Sequence, residues 1–206
     1  MDRETAFWNK LADKYSRRPI SDEATYQKKL EVTREYFQPD MEVLEIGCGT
    51  GSTAMAHAPY VKHIRATDFS PRMVEIAEEK AKAAGIDNVT FEALSVEATE
   101  APDASVDAVM AHNILHLLED KDQAIADIHK MLKPGGVFVS STACIGDMMF
   151  LFRLIVPVGR FLRFFPLVKV FRVTELKDSL ETAGFEIDYE WQPKKTAAAF
   201  IICRKR

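Results

Sequence analysis

Cysteine is scarce in this chain and poorly spaced for structural work. Three are present among 206 residues, Cys48, Cys144 and Cys203, far apart and in no C-x-x-C pair. That spacing excludes a disulfide framework and a zinc ribbon. An excess of one charge sign is missing too: 27 Lys and Arg against 31 Asp and Glu leave a net charge of −4. A protein that coats nucleic acid needs a basic surface, so no nucleic-acid partner is expected. The N-terminus, MDRETAFWNK, has neither the apolar core nor the cleavage site of a secretory signal. A reducing cytoplasm is therefore the expected address. Internal repeats and linkers are absent. What is present is apolar residue, 47% of the chain, enough for a core and too much for a disordered segment. The length suits one domain.

Residues 1–40 read as helical and carry eight bases against eight acids, so they are not a basic arm. Ala6, Phe7, Leu11, Ala12 and Tyr15 recur at helical spacing, Pro19 interrupts the run, and a second helix covers 22–37 with Ser21 as its start signal. From Met41 the texture alternates. Strands are expected at 43–46, 63–67, 89–94, 106–111 and 137–142. Between them lie a helix at 71–84, capped by Ser70 and stopped by Gly85, and another at 120–132 closed by LKPGG. A helix at 174–183 and strands at 185–191 and 197–203, joined by QPKK, finish the chain. Alternating strands and helices predict a parallel sheet in an α/β sandwich, and the short last connection predicts an antiparallel pair.

The densest signal is VLEIGCGTGSTA. Gly47, Gly49 and Gly51 follow the first strand of this alternation, where bare backbone and a helix start can approach a ligand. The third glycine falls one residue short of the dinucleotide spacing, and Glu45 at the strand end would repel a pyrophosphate while attracting an ammonium group. Asp68, at the tip of the next strand, is placed to accept hydrogen bonds from ribose hydroxyls. A ligand with a ribose, a cationic end and no pyrophosphate matches S-adenosylmethionine.

With VLEIGCGTG, ATDFSPRMVEIAEEKA, PDASVDAVMAHNILHLLED and MLKPGGVFVSS together, the sequence resembles the class I S-adenosylmethionine-dependent methyltransferases. The resemblance implies a Rossmann-like three-layer sandwich with a seven-stranded sheet whose last strand is antiparallel. It divides the chain into an N-terminal helical lid (1–40), a cofactor-binding core (41–143), an apolar and basic insertion forming a lid (144–173) and a C-terminal helix with hairpin (174–206). It also implies roles: Glu45, Gly47 and Gly49 line the methionine end, Cys48 and Gly51 belong to the same cofactor-binding loop, Asp68 holds the ribose and Phe69 packs on the adenine. Ser95 and Val96 stand at the adenine edge, where many relatives have an aspartate. His112 and Asn113 fall near the methionine end.

The acceptor belongs beyond the carboxyl ends of the fourth and fifth strands. NILHL is similar to the segment holding the active-site histidine of phosphoethanolamine methyltransferases, which makes His116 a candidate base and Tyr15 its partner from the lid. His112 and His116 lie one helical turn apart without a third ligand, so no metal is expected. An N-P-P-Y-type motif, the mark of methylation on amino groups of bases or glutamine, is lacking. Residues 148–173 hold six of the thirteen phenylalanines and only positive charges, Arg153, Arg160, Arg163, Lys169 and Arg172. They read as a helical lid over an apolar pocket, with peripheral membrane contact as the alternative. The expected activity is methylation of a small, partly apolar acceptor. The alternatives are a lipid or quinone headgroup at a membrane, a non-catalytic S-adenosylmethionine-binding module, and a nicotinamide dehydrogenase.

Overall fold

The computed structural model describes residues 3–148 and 167–206. Two helices open the chain, α1 (Arg3–Ser16) and α2 (Glu23–Arg34). Then come β1 (Glu42–Ile46), α3 (Ser52–His57), β2 (His63–Asp68), α4 (Pro71–Ala84), β3 (Val89–Ala93) and β4 (Val106–His112). The described remainder is α5 (Lys121–Met131), β5 (Leu132–Thr142), α6 (Ile145–Met148), α7 (Val173–Thr182), β6 (Phe185–Trp191) and β7 (Ala199–Lys205). The seven strands form one sheet in the order β3-β2-β1-β4-β5-β7-β6. β1 to β5 are parallel, and β7 inserts antiparallel between β5 and β6, as the sequence predicts.

Side-chain parity divides the core. Leu44, Ile46, Val109, Ala111, Phe138, Ile201 and Cys203 face one layer, with Ile125, Ile128, Leu176 and Leu180 of α5 and α7. Val43, Ala108, Met110, Val137, Val139, Phe200 and Ile202 face the other, with Ala54 of α3 and Val74, Ala77 and Ala81 of α4. Alternation along each strand is what a two-faced sheet requires. It also fixes where three polar residues point: Glu45, His112 and Ser141 share parity with the second set, the face that α2 and α3 cover.

Several boundaries differ from the sequence reading, each for a local reason. Asp22, not Ser21, caps α2: its carboxylate accepts from Thr25 N at 3.0 Å and Thr25 Oγ1 at 2.8 Å. β5 starts at Leu132, because Leu132 pairs with Val106 before the KPGG stretch bulges and Val137 pairs with Ala108. β7 starts at Ala199, because Ala197 N turns back onto Lys194 O at 2.8 Å. The helix at 71–84 is as predicted, with Ser70 Oγ accepting from Met73 N and Gly85 left-handed at its end.

The two N-terminal helices are anchored on opposite flanks of the glycine loop. On α1, Trp8 and Ala12 pack on Met73 and Ile76 of α4. Asn9 Oδ1 accepts from Ser70 Oγ at 2.6 Å, and Asp13 pairs with Arg72 at 2.8 Å. α2 buries Leu30 and Thr33, and its Arg34 reaches Ala56 O at 3.4 Å. Of the insertion, residues 149–166 lie outside the described residues, and the lid and membrane readings rest on them. Its described far end crosses the molecule: Leu167 N donates to Glu4 Oε2 at 3.1 Å, Lys169 N to His116 O at 2.7 Å, and Phe171 O accepts from Gly146 N at 2.9 Å.

The glycines of the loop do two jobs. A Cβ on Gly47, at φ +67°, would sit 2.8 Å from Ile114 Cγ1; one on Gly51, at φ +76°, would sit 2.8 Å from the Phe91 ring. Gly85 has the same φ of +67° but open space around it. Gly47→Ala should therefore cost about 2–4 kcal/mol, from left-handed strain plus overpacking, and Gly85→Ala only about 1 kcal/mol. Urea unfolding of the two variants measures the difference; equal losses would remove the packing argument.

Candidate active site

Glu45 ends a strand of apolar residues and is 1% exposed. One of its oxygens is reached by a backbone N–H of Ala54, while Oε2 is buried with no partner. Burial pushes its carboxyl up to about 8, the Ala54 bond works against that, and nearby Asp68 adds to it. The residue lines a cavity of about 340 Å³ with Gly47, Cys48, Gly49, Thr53, Tyr26, His112 and Asn113, under Tyr15, Arg18 and Ile20. Gly49 opens onto this space: the nearest atom to a Cβ there would be Tyr15 Cε1, at 3.8 Å.

Asp68 braces the loop from the next strand. Its Oδ2 accepts from Gly49 N and its Oδ1 from Ser70 N, both at 2.9 Å. Burial raises its carboxyl and the two backbone bonds oppose the rise. Each oxygen retains a free lone pair. Cys48 ties the loop to β2 through its N–H on Thr67 O at 2.9 Å. Its thiol, pushed well up by burial and then by Glu45 and Asp68, is not a nucleophile.

A second cavity, about 260 Å³, opens on the other side of the strand tips. Phe69, Ser95, Val96, Ile114, Leu117, Trp8 and Leu167 line it, with Glu4, Glu97 and Glu119 at the wall. Ser95 Oγ accepts from Ala98 N at 3.2 Å, so its oxygen is occupied by the turn while its O–H can still donate. A larger cavity, about 460 Å³, lies between the 96–103 loop and α5. None of its walls belongs to the glycine loop or to His112, and it has no part in the chemistry below.

The third space, about 240 Å³, extends the glycine-loop cavity toward β5 and shares Ile20, Ser21, Tyr26, Thr53, His112 and Asn113 with it. Asn113 makes this junction by adopting φ +56°, a conformation asparagine tolerates, with its N–H on Ser141 O at 2.7 Å. Lys29 and Ser141 close the far wall, Nζ donating to Oγ at 2.8 Å. Lys29, Tyr26, Thr53 and Ser141 were not singled out from sequence. The available signals were the stripe Tyr26, Lys29–Leu30, Thr33 along α2 and the parity of Ser141.

His112 Nε2 and His116 Nδ1 are buried without partners, and burial pushes each ring down to about 4. Behind His112 sits His57, fully buried, edge-on to Phe37 at 5.1 Å and pushed down to about 3 by burial and then by His112. Tyr15 lies over Gly49; desolvation and then Asp68 raise its phenol, so it stays protonated. Tyr15 and His116 share no cavity wall: His116 sits on the 3-10 turn Leu115–Leu117, where its carbonyl holds Lys169. Among the described residues, no group of three or more His, Cys, Asp or Glu is placed to hold a metal. No helix among them is long and apolar enough to cross a membrane.

This sheet order, with a bare glycine loop after β1 and a carboxylate closing β2, defines a Rossmann-like methyltransferase fold. The comparisons place the chain within it. A family model described as "Methyltransferase domain" matches residues 43–136. The uncharacterized methyltransferase YcgJ of Bacillus subtilis is 32% identical over 139 residues, which are 68% of this chain and 54% of that protein. The crystal structure of YcgJ superposes with a TM-score of 0.72 at 19% identity, covering 87% of this chain and 99% of that one. An S-adenosylmethionine-dependent methyltransferase of Methanosarcina mazei superposes with a TM-score of 0.70 at 20% identity, covering 84% and 96%. The chain belongs to the class I S-adenosylmethionine-dependent methyltransferases. It spans about half the length, or less, of most curated relatives it matches.

Three histidines held neutral by burial, His57, His112 and His116, make an acid-sensitive fold. Each folded pKa lies below the ordinary 6.5, so the unfolded chain binds protons first as pH falls. The stability they protect is present above pH 6.5 and is lost as pH drops toward 4, and for His57 toward 3, on the order of 3–5 kcal/mol per ring at most. Urea midpoints should fall between pH 7 and 5, and His57→Phe should blunt the fall. An unchanged slope in that variant would assign the acid sensitivity elsewhere.

Proposed function

We propose that the protein transfers a methyl group from S-adenosylmethionine to a small acceptor bound beyond the tips of β4 and β5. The observation that carries this reading is Glu45 Oε2, a buried carboxylate oxygen with no partner beside backbone that Gly49 leaves bare. An unpaired buried acceptor is costly, and a ligand ammonium offsets that cost. Glu45 and the loop from Gly47 to Gly49 then hold the methionine end, and the free lone pairs of Asp68 accept from the ribose. Phe69, Val96 and Leu117 enclose the adenine, and the Ser95 hydroxyl is free to donate to its edge.

The cofactor brings a methyl already activated on sulfonium, so the protein's work is alignment and exclusion of water. Ile20 and Tyr26 flank the mouth, and Asn113 turns the end of β4 so that His112 faces the junction of the two spaces. Where the acceptor must lose a proton, neutral His112 is the group in position to take it. The pair from the sequence reading, His116 with Tyr15, is the second reading; neutral, unpartnered His116 Nδ1 favours it. His112→Ala should lower kcat with cofactor affinity nearly unchanged, and His116→Ala should leave kcat within about threefold. The reverse order would transfer the role to His116.

Cofactor binding is measurable before any acceptor is known. Empty, Glu45 keeps its proton up to about pH 8, whereas the unfolded carboxyl loses it near 4.5. Its stabilising share is thus present below 4.5 and lost as pH rises through 8. Pairing with an ammonium ionises it, so S-adenosylhomocysteine should bind with proton release and gain affinity from pH 6 to 8. Calorimetric titration in buffers of different ionisation enthalpy reads both, with NADH as the negative control. Glu45→Gln should abolish the proton release. Binding of NADH and not of the adenosyl ligand would overturn the assignment.

A further inference from the structure

The far wall of the acceptor space carries a charge that the fold itself does not neutralise. Lys29 projects from the core-facing stripe of α2, next to Leu30, which is 3% exposed. Its Nζ donates to Ser141 Oγ at 2.8 Å and stands 5.9 Å from the Phe200 ring centroid. Among the described residues it has no carboxylate in ion-pair contact. The carboxylate whose charge acts on it is Asp22, whose oxygens accept from Thr25 as the helix cap. A half-buried ammonium with one neutral partner is a costly arrangement unless a ligand completes it. Two of its three donors remain open toward the 240 Å³ space.

We propose that the methyl acceptor is a carboxylic acid, with its carboxylate seated on Lys29 and the Ser141 hydroxyl. This deepens the methyltransferase reading and rests on it for the word acceptor. The charge balance selects a monoanion. One cation faces the space, His112 beside it is held neutral by burial, and Asp22 at the rim opposes a second negative charge. A phosphate dianion would find one lysine where it needs two or more charged donors. Neutral polar groups line the same space: Asn113, and Tyr26 with Thr53, which are hydrogen-bonded to each other. The volume corresponds to roughly eight waters, so the acid is small.

The experiment uses the whole chain and three fixed probes, benzoate, benzamide and phenyl phosphate, each titrated by ligand-observed NMR with S-adenosylhomocysteine present and absent. Benzoate should bind and the isosteric amide should bind at least roughly tenfold more weakly, since only the acid forms a charge-assisted pair. Lys29→Met should weaken benzoate by roughly tenfold or more and leave S-adenosylhomocysteine affinity and the thermal midpoint near wild type. Ser141→Ala, which removes no charge, should weaken benzoate by only a few-fold. Absence of benzoate binding to wild type, equal binding of the amide, or unchanged binding in a folded Lys29→Met variant would overturn the proposal. Preference for phenyl phosphate would overturn its carboxylate assignment. Failure of S-adenosylhomocysteine to bind while the benzoate results hold would instead remove the cofactor reading and keep the anion site.

Discussion

A carboxylate buried at the end of an apolar strand is the constraint around which this molecule is arranged. Glu45 follows Val43 and Leu44 into the centre of the sheet, where water cannot solvate it. Its neighbours respond in sequence. Ala54, the third residue of α3, supplies a backbone N–H to one oxygen. Gly47, Gly49 and Gly51 take left-handed backbone in the loop that follows, Gly47 close against Ile114 and Gly51 against Phe91, with Gly49 open to the cavity. Asp68 then fixes the loop by accepting from Gly49 N. Gly47 and Gly51 also serve packing against Ile114 and Phe91, whereas the unpartnered oxygen of Glu45 has no stabilising purpose within the fold itself.

The sheet order converts that local device into a divided site. β1 lies between β2 and β4, so the chain leaves β1 toward one side and returns to begin the other half at β4. Loops at the strand tips diverge at such a point and leave a crevice. Parity decides what enters it. Glu45, His112 and Ser141 point to the α2 face, and Ile114 with Leu115 point to the opposite one. Anchoring follows the same division: α1 is fixed through Asn9 and Asp13 to the start of α4, and α2 through Leu30, Thr33 and Lys29 to the rest of the face. The connection between them, Arg18 to Ser21, crosses the mouth.

Residues whose role is local were readable from the sequence. Ser70, Pro71 and Gly85 delimit α4 through chemistry that needs no tertiary partner. The alternation of strands and helices, with a short last connection, was enough for a parallel sheet and an antiparallel last pair; the insertion of that pair's last strand followed from the family resemblance. Boundaries that depend on a pairing partner were not: Leu132 joins β5 because Val106 is opposite it, and KPGG, which reads as a turn, is a bulge within the strand. Site residues divide likewise. Glu45, the glycines and Asp68 form one compact motif and announce themselves. Lys29 does not, because in an N-terminal segment with balanced charges one more lysine reads as solvated surface. Its meaning appears only when the register of β4 with β5 brings Ser141 beside His112, beneath it.

The two ends of the crevice are electrostatically opposite, and a neutral group separates them. Glu45 offers an acceptor at the glycine loop; Lys29 offers donors against β5; His112, uncharged because burial forbids its proton, stands between. A direct Glu45–Lys29 pair would satisfy both charges and leave nothing for a ligand. The fold keeps them apart: Glu45 lies on β1, Lys29 reaches from α2 to Ser141 on β5, and the β4 tip stands between those two strands. Two molecules entering such a space are sorted by sign: the cationic end of one lies toward β1, the anionic end of the other toward β5. On the proposed reading, the sulfonium methyl and the acceptor atom then meet at β4. That meeting needs no force beyond the desolvation each buried charge resists, so the cost of burying Glu45 and Lys29 unpaired becomes the means of orientation.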